Sequence, residues 1–211
     1  MTLRTRISRL FLAVSLAFCL FTPAVSEAAD PYTVIYDDVS AYNGNPVECD
    51  WIANAILYAS SLYGVDPYLI TAVMQTESHF YLNAMSPVGA IGLMQLMPDT
   101  AEWIAGQLED PAYSVEAIHE PERNIRYGIW YLSSLQREFG GNDVLALAAY
   151  NAGRGNVQEW IRDNGWPADF HDIDAIPYQE TREYVRKVLL TEHKYRSLYP
   201  TADGTGSNMK D

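Results

Sequence analysis

The sequence predicts an all-α domain, and three observations carry that prediction. Apolar residues recur with a 3.6-residue period in segment after segment from Asp50 onward. Helix start and stop signals bound those segments, chiefly proline at first helical positions and glycine just past the ends. No convincing pair of strands is present; the β-like run Tyr32-Thr33-Val34-Ile35-Tyr36 stands alone. A length of 211 residues, 48% of them hydrophobic, suits one domain with appendages, and no internal repeat interrupts it.

The chain opens on an address. Arg4, Arg6 and Arg9 precede the apolar run Leu10 to Phe21, and Ser26-Glu27-Ala28 offers a small-x-small cleavage site, so residues 1–28 read as a secretory signal. The run is too short for a comfortable membrane span, so no transmembrane anchor is expected after cleavage. Around Cys19 the sequence only loosely matches a lipoprotein box, because Phe18 stands where a small residue is needed. Cleavage leaves Cys49 as the one cysteine, which excludes an internal disulfide framework. Glu48 and Asp50 flank that thiol, the wrong field for a reactive thiolate.

Residues 29–49 are polar and aromatic without a sustained period and read as a lead-in segment to a domain over 50–199. Ile52, Ala55, Ile56, Ala59 and Leu62 form the first helical stripe, stopped at Gly64. Asp66-Pro67 is an N-cap followed by proline at the first helical position, opening a second helix to about Phe80. A loop rich in Gly, Ser and Pro follows over 83–97, in which Gly89 and Gly92 serve the backbone and Leu93 and Leu96 serve the core. Pro98 begins a short helix to Ala105. Near Pro121 a longer one begins, with Ile125, Ile129, Leu132, Leu135 and Phe139 on one face and Gly140 as its stop. Asn142 caps the apolar run Val144 to Tyr150, and Asn156 to Asp163 forms another short helix. Pro177 begins the last, with Tyr184, Val188, Thr191 and Tyr195 aligned; after Pro200 the small polar residues predict a frayed tail over 200–211.

Charge is distributed unevenly. No Lys or Arg occurs from Ala29 to Glu122, a stretch with fourteen carboxylates, whereas eleven basic and twelve acidic residues share the chain from Arg123 onward. Removing the signal takes out three arginines and one glutamate and leaves a net charge near −15. Without a basic cluster the chain lacks the electrostatic footprint for phosphate backbones, which argues against nucleic acid.

Within the second helix Glu77 falls on the stripe made by Leu69, Val73 and Phe80, with Ile70 and Met74 beside it. A carboxyl placed there loses hydration, its pKa rises, and it can stay protonated near neutral pH to act as a proton donor. No Lys or Arg lies within forty residues of it in sequence, although one from the second half could fold against it. The bland alternative is a carboxylate at the stripe's edge that reaches solvent.

The next residues decide between these readings. Glu77-Ser78-His79-Phe80, running into Ala84-Met85-Ser86-Pro87-Val88-Gly89-Ala90-Ile91-Gly92-Leu93-Met94-Gln95-Leu96-Met97-Pro98, resembles the signature of the family 1 lytic transglycosylases. Ala149-Tyr150-Asn151-Ala152-Gly153 and Glu180-Thr181-Arg182-Glu183-Tyr184-Val185 resemble that family's later motifs, in the same order and spacing over roughly Asp50 to Tyr199. The departure is Tyr81-Leu82, where members often carry a polar, Pro-containing stretch. The resemblance implies a lysozyme-like fold with a groove beside the catalytic helix. It implies Glu77 as the catalytic acid, and Ser86, Gln95, Met97, Tyr150, Asn151 and Glu180 along the saccharide groove. Met97 could equally be core, and Glu180 could be a helix-start charge favoured by the dipole.

The implied substrate is the β-1,4 bond between N-acetylmuramic acid and N-acetylglucosamine in peptidoglycan, cleaved to a 1,6-anhydromuramoyl end. No second acidic residue lies between Glu77 and Asp99, which fits a single acid rather than the usual glycosidase pair. No cofactor or metal is expected: His79, His119, His171 and His193 show no ligand spacing, and a Gly-x-Ser-x-Gly turn is lacking. A hydrolytic muramidase on the same fold and a non-catalytic wall-binding or scaffold module are the alternatives. The signal and the substrate together imply the periplasm. A role beside a secretion or conjugation machine fits the size, as do wall turnover and a phage origin. An acidic half without a cation near Glu77 would favour its protonated form and an optimum on the acidic side of neutral.

Overall fold

A computed structural model describes residues 30–198. The expected leader, Cys19 and the tail beyond Tyr199 lie outside the described residues. Eight α-helices and two short 3-10 turns make up the described chain, with isolated bridges Met85–Ile91 and Ile91–Leu96 in place of strands. They run α1 Pro31–Ser40, α2 Pro46–Tyr63, α3 Pro67–Ser78, α4 Pro98–Gln107, α5 Pro121–Glu138, α6 Asp143–Ala152, α7 Arg154–Asn164 and α8 Gln179–Leu198. Among the described residues no helix is long and apolar enough to cross a membrane.

The first helix corrects the expectation for the N-terminal segment. Tyr32–Tyr36 is helical because Asp30 caps the backbone N–H of Thr33 and Pro31 occupies the first turn, which outweighs the β-branched composition of the run. Val34, Ile35 and Val39 are buried, so α1 contributes to the core instead of leading into it. Tyr195 on α8 and Gln75 on α3 both donate to the Asp38 carboxylate, at 2.6 Å and 3.0 Å. A boundary at residue 50 is therefore not one the structure draws; it falls inside α2, which begins at Pro46.

α3 is the central helix, with α1, α2 and α8 packed around it. Tyr68 through Met74 are all buried, so the single stripe expected from the sequence is too narrow a description. A helix covered on every side leaves only its ends near solvent. It stops at Ser78, two residues earlier than expected, because His79 and Phe80 take left-handed backbone at φ 49° and 61°. Such conformations are strained for non-glycine residues, and the full burial of Phe80 helps hold them.

The remaining helices follow their sequence signals to within a few residues. Gly64 and Gly165 end α2 and α7 in left-handed conformation, and the Asn142 side chain caps Leu145 at 3.0 Å. α5 and α6 pack together, and α6 lies against α7 and α8. Cys49 is buried, its Sγ donating to the Asn43 carbonyl, and burial pushes the thiol pKa up, away from the thiolate form.

Candidate active site

Glu77 stands on the last turn of α3, where the central helix first approaches solvent, and it is half-buried. Burial pushes its carboxyl up to about 7, against two groups on α8 that favour the charged form: the Tyr184 hydroxyl and the Lys187 ammonium. Lys187 corrects the expectation that no cation acts on Glu77. The charge asymmetry along the sequence does not survive folding here, because α8 packs on α3. Desolvation still wins. No carboxylate is among the groups that shift Glu77.

Two phenols flank the carboxyl. Burial, then the charge of Glu77, holds Tyr150 and Tyr184 well above their ordinary value, so both remain O–H donors. Tyr150 donates to the Met94 carbonyl at 2.9 Å, which ties the end of α6 to the loop after α3. The Tyr184 hydroxyl is buried and aimed at Glu77 closely enough to act on its titration. Its geometry falls short of a full hydrogen bond, and no other partner satisfies it.

The loop over 83–97 is stitched by its own polar groups. Ser86 Oγ accepts from the Ala90 N–H at 2.9 Å, while Gln95 Nε2 donates to the carbonyls of Gly92 at 2.9 Å and Ala84 at 3.2 Å. Part of what Ser86 and Gln95 do is thus to shape the loop. Asn124 on α5 clamps it from below, accepting from Met94 N–H and donating to the Ile91 carbonyl, each at 2.8 Å. Met97, left open between core and groove, is 41% exposed at the start of α4 and so is not core.

Asn151 and Glu180 line one open cleft of about 510 Å³ with Tyr178 and Thr181. Thr181 Oγ1 donates to Asn151 Oδ1 at 2.7 Å, joining the end of α6 to the start of α8. Glu180 is exposed in the first turn of α8, so both of its readings are compatible with its place. A separate pocket of about 270 Å³ between α2 and α5, walled by Trp51, Tyr58, Leu62 and Ile125, does not include Glu77 or its two phenols. Among the described residues no three His, Cys, Asp or Glu side chains converge as a metal ion would require.

Sequence reasoning missed Asn124, Tyr184 and Lys187 as parts of this arrangement. Tyr184 carried a usable signal: a phenol on the apolar face of its helix, beside Val188, raises the same question as a carboxyl on the face of α3.

The family model of the transglycosylase SLT domain matches residues 54–173, more than half of the chain and the stretch that carries Glu77, the 83–97 loop and Tyr150. The chain belongs to this family. The soluble lytic murein transglycosylase of Escherichia coli (strain K12) is 39% identical to it over 127 residues, covering 59% of this chain and 20% of that protein. An inactive mutant of the lytic transglycosylase Slt from Pseudomonas aeruginosa superposes with a TM-score of 0.61 at 32% identity, over 79% of this chain and 29% of that one. The 70-kDa soluble lytic transglycosylase of Escherichia coli gives 0.64 at 27% identity, again over 79% and 29%. The all-α, lysozyme-like fold expected of the SLT chain is thus its fold. The chain spans about a fifth of the length of the curated relative.

Proposed function

We propose that this chain is a peptidoglycan lytic transglycosylase that cleaves the β-1,4 bond from N-acetylmuramic acid to N-acetylglucosamine without consuming water. One observation carries the reading: in an SLT domain, a half-buried glutamate with a pKa raised to about 7 faces two phenols, the buried Tyr184 and the partly buried Tyr150, and no second carboxylate.

At neutral pH a carboxyl so tuned is populated in both forms, which suits a group that must first give a proton and then take one. Protonated Glu77 delivers its proton to the glycosidic oxygen as the bond from that oxygen to the muramoyl C1 breaks. The carbonyl oxygen of the muramoyl N-acetyl group closes on C1 and carries the positive charge. Glu77, now a carboxylate, is stabilised by the Lys187 charge and by the Tyr184 hydroxyl, whose unsatisfied proton gains an acceptor. It then removes the proton of the C6 hydroxyl as that oxygen bonds to C1 and the N-acetyl oxygen departs. The anhydro ring closes and Glu77 is protonated again.

Ser86, Gln95, Met97, Tyr150, Asn151 and Glu180 are the residues we assign to the walls that hold the glycan. A secreted chain acting on this polymer belongs in the periplasm. A secretion or conjugation machine as partner finds no support in the fold or in the relatives the chain resembles. Replacing Glu77 with Gln tests the assignment: the variant melts cooperatively and solubilises no purified sacculi, whereas full activity would refute the role of Glu77.

A further inference from the structure

Contacts from α1 and the loop after it bracket Glu77 on both sides in the chain. Before it, Gln75 Nε2 donates to the Asp38 carboxylate at 3.0 Å and to the Tyr42 hydroxyl at 3.2 Å. Tyr195 of α8 donates to the same carboxylate at 2.6 Å. After it, the Tyr42 ring packs on His79 and Phe80, with centroids 5.5 Å and 5.8 Å away. The His79 N–H donates to the Gln75 carbonyl at 3.1 Å, which closes the last turn of α3 around Glu77. Both ends of that closing bond are therefore gripped by Tyr42. Asp38 and Tyr42 precede the matched residues 54–173 and Tyr195 follows them, so the matched stretch does not supply this grip.

The turn requires one. α2 and α7 end on glycines in left-handed conformation, whereas α3 ends on His79 and Phe80. Two successive L-residues hold φ values of 49° and 61° only where surrounding contacts impose them. Packing alone does not call for Asp38, because Val34, Ile35 and Val39 already bury α1. A half-buried carboxylate that takes donors from α3 and α8 adds direction, since hydrogen bonds fix orientation where apolar contact does not. Among the described residues, the groups that shift Glu77 are Tyr184 and Lys187 of α8, and Tyr150 of α6 feels its charge; none belongs to α1 or α2. α1 therefore reaches the carboxyl through backbone position and burial, not through charge.

We propose that Asp38 and Tyr42 are positioning residues for the reaction: by fixing Gln75 and the His79–Phe80 turn, they hold the Glu77 carboxyl against the interior and aim it at the scissile bond. Their role rests on the reading of the chain as a peptidoglycan lyase with Glu77 as its acid.

Tyr42→Ala tests this, with Tyr42→Phe as the conservative partner; Tyr42 is 39% exposed and outside the buried core, so the variants fold. On soluble glycan strands, well below the melting midpoints, Tyr42→Ala lowers kcat roughly ten- to a hundredfold and leaves KM within about twofold. Tyr42→Phe, which keeps the ring on His79 and Phe80, recovers most of the loss. A carboxyl let out toward water ionises more easily, so the basic limb of kcat/KM moves to lower pH in Tyr42→Ala. Gln75→Leu, which cuts the tie to Asp38, moves it the same way. Removing Tyr184 or Lys187 acts on charge and shifts the limb in the opposite direction, and a helix that merely stabilised the fold would not move it. A fixed limb, an unchanged kcat, or a raised KM with kcat unchanged each overturns the proposal. Carboxyl NMR of Glu77 reads the same displacement without turnover: its midpoint falls from about 7 in Tyr42→Ala. A midpoint that falls, in a protein whose wild type cleaves no glycan, upholds the positioning and refutes the lyase reading; a midpoint that stays, in an active enzyme, does the reverse.

Discussion

The side chain of Asn124 occupies the space that any side chain at Gly92 would need: a Cβ there would lie 2.5 Å from Asn124 Nδ2. Gly92 also has φ 77°, which an L-residue adopts only under strain. The loop that carries Ser86, Gln95 and Met97 is therefore seated on α5 by a missing side chain at one position and a clamping one at the other.

A double-mutant cycle follows from this fit. Gly92→Ala loses about 2–4 kcal/mol from backbone strain and overlap. Asn124→Ala loses about 1–3 kcal/mol, because the Met94 N–H is left buried without its partner and the Ile91 carbonyl keeps only the Leu96 N–H. The double variant loses less than the sum by about 1 kcal/mol, since Ala at 124 vacates the space while the strain at 92 remains. Chemical denaturation of the four proteins measures this; strict additivity would contradict the account.

The pH dependence of activity reports the balance at Glu77. Its raised pKa means that the proton-donating form is lost as pH rises through about 7, so the basic limb of kcat/KM falls there. Tyr184 and Lys187 both lower that pKa, so Tyr184→Phe and Lys187→Met each move the basic limb to higher pH. A limb that stays fixed or moves down in the Lys187 variant would remove this cation from the description.

Stability responds to the same group with a definite sign. The folded pKa of about 7 lies above the ordinary 4.5, so the folded state binds more protons between those values and wild-type stability falls as pH rises across that window. Glu77→Gln, which has no charge to bury, is equal to wild type in this respect below pH 4.5 and more stable above neutral pH by about 2–3 kcal/mol. Melting curves at acid and alkaline pH show whether the gap opens. A gap that closes as pH rises would mean that burial is not what perturbs this glutamate.

The status of α1 is open to a simple test. Ile35 is fully buried, and Ile35→Ala costs about 2–4 kcal/mol if the helix shares the domain core. A loss below about 0.5 kcal/mol, the scale of ordinary surface substitutions, would return α1 to the status of an appendage.

The helices that could be read in advance are those with chemical punctuation. Asp66 and Pro67 fixed the start of α3, Gly64 the end of α2, and Asn142 the start of α6, because a cap is a local interaction that the chain makes wherever it lies. α1 had a cap and a proline too, but its β-branched run has no helical period, and its burial depends on α2, α3 and α8. Glu77 was legible because a carboxyl on an apolar stripe is anomalous within its own helix. Lys187 was not: its effect requires α8 to pack on α3, a contact between distant segments that no local pattern encodes. Asn124 was hidden for the same reason, being an ordinary polar residue near a helix start until the loop folds over it.

The central claim, that Glu77 drives an intramolecular ring closure rather than hydrolysis, is tested most directly by digesting purified peptidoglycan in heavy-oxygen water and weighing the muramoyl ends by mass spectrometry. The account predicts 1,6-anhydromuramoyl ends that are one water lighter than reducing ends and carry no heavy oxygen. Reducing muramoyl ends labelled at C1 would contradict it and make the enzyme a hydrolase.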